Sequence, residues 1–219
     1  MARLRIVSKS GAVSVTAVPG AGVSASGGVV VTEPDGTIVV NAGSKSLDVQ
    51  CEPGTDVVVG TMSGSIAFQG RLGSVSATTK SGRIEVEEAT SVDARTASGS
   101  VRVEMCEGEC RAVVTSGSIR IGRTGRAWCA CVSGSVQVDS ADTAEVKAVS
   151  GKVSVGSTAT GRVAIRSVSG TVEVSVPPDR APAVRTKSIS GRMRNECPLG
   201  DDGEIDVKTV SGSIRIVCN

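Results

Sequence analysis

Seven cysteines and no histidine set the terms for any chemistry this chain can do. Cys106 and Cys110 are separated by three residues, Cys129 and Cys131 by one. Structural zinc is commonly gripped by Cys-x2-Cys pairs carried on turns, and neither pair has that form. Both are read instead as small apolar side chains of a core. Cys197 and Cys218 occupy equivalent places in neighbouring repeats and are close enough to oxidise, although reduced thiols are the default in a cytosol. The absence of His removes the commonest general base and the usual partner of a nucleophilic Ser or Cys. No phosphate-binding loop and no dinucleotide fingerprint is present. The expectation is a protein that is not an enzyme, with no metal and no cofactor.

The remaining candidates are surface groups. Lys147, Arg166, Lys187 and Lys208 recur at one outward position, as a row of like charge that either solvates the face or meets an anionic partner. Trp128, the only Trp in a chain with one Phe and no Tyr, takes an outward slot, where it anchors a partner or covers the sheet. The balance of 24 basic and 22 acidic residues lacks the basic excess of a nucleic-acid binder.

The elements that position these residues follow from a repeat. Ser-Gly pairs end on Gly11, Gly64, Gly82, Gly99, Gly117, Gly134, Gly151, Gly170, Gly191 and Gly212, with steps of 17–18 residues from Gly64 to Gly151 and 19–21 thereafter. Residues two and four after the glycine are apolar (Ile66 and Phe68, Ile119 and Ile121, Val153 and Val155), and the residue between is polar in most units. Residues seven and five before it repeat the alternation, as in Val75 and Ala77 or Val163 and Ile165. Asn195 is the exception in an otherwise apolar slot. Period-two alternation is the mark of a half-buried strand. A unit of this length cannot bury its own apolar face, but stacking equivalent units about 4.8 Å apart buries it continuously.

These patterns predict an all-β fold, a right-handed parallel β-solenoid of roughly ten to eleven coils, two-sheeted or three-sheeted. One domain is expected over 1–219: less regular coils over 1–60, regular Ser-Gly repeats over 61–219, and longer loops after 175. Each glycine marks a sharp corner, and its serine can bond local backbone or stack into a hydroxyl ladder. The 53-residue gap from Gly11 to Gly64 holds about three units in degraded form around Gly27 and Gly43. The loops rich in Pro177, Pro178, Pro182 and Pro198 are read first as neutral loop growth and, failing that, as the first places to look for recognition. No secretory signal and no membrane span is visible, so a cytoplasmic location is expected.

The phrase S-G-x-[IV]-x-[IV], the lead-in GTDVVVGTMSG over 54–64 and the following SGRIEVEEA resemble the bacterial putative-adhesin family of β-strand-repeat proteins along essentially the whole chain. That resemblance implies a β-repeat protein and supplies no catalytic residues. The functional expectation is a structural or interaction scaffold that self-associates through open solenoid ends, where Arg3–Val15 and Ser211–Cys218 enter and leave as strands, or that binds an unidentified protein. The alternative is a surface adhesin or polysaccharide-binding module, against which the scarcity of aromatic rings counts.

Overall fold

The computed structural model describes residues 3–157 and 161–218. No helix occurs among them, and therefore none long and apolar enough to cross a membrane. Backbone contacts divide the chain into two compact units, Met1–Gly108 and Glu109–Asn219.

In the first unit, β1 (Arg3–Ser10), β5 (Ile38–Gly43) and β7 (Asp56–Ser63) run parallel, with β1 in the middle. Beyond the corner, β2 (Val13–Ala17) lies between β6 (Leu47–Cys51) and the start of β8 (Ile66–Ser157), again parallel. The first strands of the chain are thus paired on both edges and are not an open end. The degraded stretch resolves into two parts. Residues 38–51 form one parallel coil, while β3 (Ser24–Ser26) and β4 (Val29–Thr32) run antiparallel on β6 and β5 as a reversed cap.

The second unit stacks the later part of β8, β9 (Arg162–Val176), β12 (Glu204–Cys218) and β10 (Ala183–Ser190), in that spatial order and all parallel. The short β11 (Met193–Asn195) also pairs with β12. Here too the last strand sits between two others, and β10 forms the edge.

The alternation puts side chains where the pattern requires. Ile119, Ile121, Val136, Val138, Val163 and Ile165 are buried in the second unit, and Ile66, Phe68, Val75 and Ala77 in the first. A third inward slot lies in the link between strands, filled by Leu72, Ala89 and Cys106 in the first unit and Thr124 and Ala141 in the second. Pattern reading missed this slot because it occurs once per repeat, with no alternation around it. Asn195 is exposed in the edge coil, where its side chain accepts from the Cys197 N–H (3.1 Å) and donates to the Cys197 carbonyl (3.3 Å). A polar residue is tolerated because that slot is not enclosed.

Gly82 shows why the corner excludes side chains. Its φ is +148°, and a Cβ would fall onto the carbonyl oxygen of Gly64. The same relation places Gly170 on Gly151, Gly212 on Gly170 and Gly191 on Gly212, which traces the exchanged order of the last two coils independently of the strand ladder. Local backbone at the corner is bonded not by the serine next to the glycine but by the hydroxyl residue two places earlier. Thr61, Thr79, Ser167 and Thr209 each donate to the carbonyl of that serine at 3.1–3.3 Å. The corner serines instead reach across coils, as Ser150 does to the Val132 carbonyl (3.4 Å) and to the Ser133 hydroxyl (3.5 Å).

Candidate functional site

Strand register brings the four cations together in the second unit. Lys147 lies opposite Arg166, Arg166 opposite Lys208, and Lys208 opposite Lys187. The row is therefore 147–166–208–187 and does not follow chain order, since β12 separates β9 from β10. All four side chains are exposed. Two are neutralised on their own strands, Lys147 by Glu145 at 2.9 Å and Lys208 by Asp206 at 3.0 Å. Arg166 and Lys187 have no ion-pair partner among the described residues, so the unbalanced positive charge sits on these two.

Trp128 is half-buried on the same sheet face. The Arg111 guanidinium lies 4.3 Å from its ring centroid and the Lys147 ammonium 5.5 Å. Cations over an indole face are held by its quadrupole. The ring is thus already engaged from two sides, and it covers sheet more than it projects from it.

A second column was not legible in the outward positions weighed from the sequence. The residue two before each glycine faces solvent, and in the second unit, after Thr115, it is aliphatic in successive coils. Val132, Val149, Val168 and Val210 are each 46–48% exposed, and Ile189 is 77% exposed. In the first unit the same slot holds Lys9, Met62, Lys80 and Ala97. The corner itself does not demand an apolar residue there. Aligning this slot across repeats is the signal that would have found the stripe.

The cysteines behave as core. Cys110 and Cys129 are fully buried, and Cys106 and Cys131 nearly so. Burial pushes the Cys129 thiol up to about 12, with the neighbouring Cys131 adding to the shift, so neither is a ready thiolate. Cys197 and Cys218 are joined in a disulfide with their Cα atoms 5.3 Å apart, which ties the edge coil to β12. The proline-rich loops brace each other: the Ala181 N–H donates to the Asp202 carboxylate and the Asp202 N–H to the Ala181 carbonyl, both at 3.0 Å.

No curated protein matches the chain significantly. Among solved structures, a "putative cell adhesion protein from Clostridium sporogenes ATCC 15579" is matched at 6% identity over 98% of this chain and 92% of that one, with a TM-score of 0.26. The profile of one family, Toastrack DUF4097, matches residues 2–217, the same span as the Ser-Gly repeats. The chain belongs to the Toastrack DUF4097 family.

Proposed function

We propose that this protein is a non-enzymatic scaffold, a right-handed parallel β-solenoid of ten to eleven coils that self-associates through its terminal strand edges in the cytoplasm. The third inward slot favours three-sided coils. The observation that carries the reading is the exposed valine edge of β4; the second edge strand, β10, is partly blunted by Arg185 and Lys187. In the first unit the outermost strand, β4, has Val29, Val30 and Val31 at 45–66% exposure and a single neighbour, β5. In the second unit β10 has β12 alone as neighbour among the described residues, Val184 is only half-buried, and Ile189 and Met193 stand exposed. Natural proteins blunt such edges with charge, proline or bulges, because unpaired N–H and C=O groups recruit further strands. A run of three valines does the opposite. Light scattering over a concentration series, with negative-stain microscopy, tests it. Mass should rise with concentration, and Val30→Lys should suppress the rise. A strictly monomeric protein at high concentration refutes the assembly.

One observation favours a second reading, a surface adhesin or polysaccharide-binding module. The Cys197–Cys218 disulfide belongs to oxidising compartments more than to a cytosol. Cell fractionation separates the two: a wholly cytosolic pool removes the adhesin.

A further inference from the structure

We propose that the corner-side face of the second unit is a docking surface for an acidic amphipathic helix of another protein. It differs from the strand edges that carry the assembly reading and does not depend on them.

The face has two parallel columns. The aliphatic one runs Val132, Val149, Val168, Val210, Ile189, and the cationic one runs Lys147, Arg166, Lys208, Lys187. Along each strand the two columns are two residues apart, about 6.6 Å. An apolar stripe of this kind on a soluble protein marks an interaction site more often than an idle surface. The unbroken aliphatic run is confined to the coils from Val132 onward, since the slot alternates Lys9, Met62, Lys80 and Ala97 in the first unit and holds Thr115 at the start of the second.

The spacing chooses the occupant. Five aliphatic residues in successive coils span four intervals of about 4.8 Å, or about 19 Å. An extended strand laid along them presents same-side residues about 6.8 Å apart and falls out of step after one residue. A helix presents one apolar turn every 5.4 Å, drifting by only about 0.6 Å per coil, and about 13 helical residues cover the stripe. The charge chooses the flank. Arg166 and Lys187 lack acidic partners among the described residues, so a row of Asp or Glu beside the apolar stripe of the helix completes them. The other chain is not a second copy of this one. The described residues contain no helix that could take this place.

A phage library of helical 14-residue peptides, with an apolar i, i+3, i+4, i+7 stripe and randomised flanks, is selected against the full chain. Enriched peptides should carry Asp or Glu on one flank. Titration should perturb the fluorescence of Trp128, which lies against Lys147. Val168→Asp should weaken the selected peptides at least tenfold. Arg166→Glu/Lys187→Glu should weaken them as much and, on reselection, turn the flank preference basic. Both variants alter exposed side chains, and an unchanged circular dichroism spectrum and thermal midpoint verifies that the fold is intact. If Val168→Asp proves unfolded, Val149→Lys serves in its place, since the equivalent slot already accepts lysine. No enrichment, enrichment without acidic flanks, or binding that ignores these substitutions overturns the proposal. Binding to phosphatidylglycerol vesicles in place of the peptides also overturns it and assigns the face to an anionic membrane.

Discussion

The corner glycines permit a sharp test of how tightly the coils are stacked. In Gly82→Ala the new methyl meets two costs. The first is backbone strain at φ +148°, of order 1–3 kcal/mol. The second is collision with the Gly64 carbonyl, a backbone atom that cannot rotate away. Relief requires the two corners to part by about 1 Å. The Gly64 N–H donates to the Ser81 carbonyl at 3.0 Å across this junction, and such a shift takes the bond past useful length. Stranding that donor costs about 1–3 kcal/mol more. The sum is about 4 kcal/mol, taking the mid-range of both contributions. Gly36→Ala is the comparator in the same unit. Its φ is +82°, but a Cβ there meets nothing within 4 Å, so only about 1 kcal/mol of strain is expected. Urea denaturation followed by far-UV circular dichroism, with both variants fitted to the same transition, measures the difference. Equal losses would refute the stacked corner, because strain alone would then account for both.

Further outcomes follow from the same geometry. Ile119→Asp buries an unpaired charge and should cost several kcal/mol in thermal or chemical denaturation, whereas Arg120→Ser removes only an exposed pair with Asp139 (3.7 Å) and should change stability by less than about 0.5 kcal/mol. Reduction of the Cys197–Cys218 bridge, or Cys197→Ser, opens a 21-residue separation and should remove about 3 kcal/mol from the edge coil, read as faster amide exchange in β10 and β11. The N–H groups of Gly20 and Gly22 both donate to the Glu52 carboxylate at 3.1 Å and hold its pKa below the ordinary value. A depressed acid stabilises above its unfolded pKa and loses that contribution as pH falls through the folded one. The Gly20 and Gly22 amides should therefore stay protected as pH falls to the ordinary glutamate value of about 4.3 and lose protection only below it.

The all-β class and the inward and outward faces of the regular repeats were legible because a single alternation recurs in register. Burial is indifferent to which coil lies beside which, however. Ile205 satisfies the slot next to Val163 as well as Val184 would, so nothing in the repeat phrase reveals that β12 separates β9 from β10. The written trace is the pair of longer loops on either side of β10, the first of which passes over the place of β12 and the second of which turns back by one coil. The reversed cap of β3 and β4 was illegible for a related reason: runs as short as Ser-Ala-Ser and Val-Val-Val-Thr carry no mark of strand direction. The cations were found, but their order and the valine column beside them were not. Trp128 was left between two roles that only the positions of Arg111 and Lys147 separate.

The exchange of the last two coils has a consequence for biosynthesis. β10 pairs with β12 and with no other strand, yet it leaves the ribosome first. At 5–20 residues per second the wait for the next repeat is about one to four seconds. Through that interval the outer edge of β9 stands vacant, and β10 carries the same alternation as the strand meant to fill it. A chain that docks β10 there must release it before β12 can enter. Any chain that takes this route reaches the native order by strand exchange at the growing end of the stack, and one that does not reaches it by simple addition.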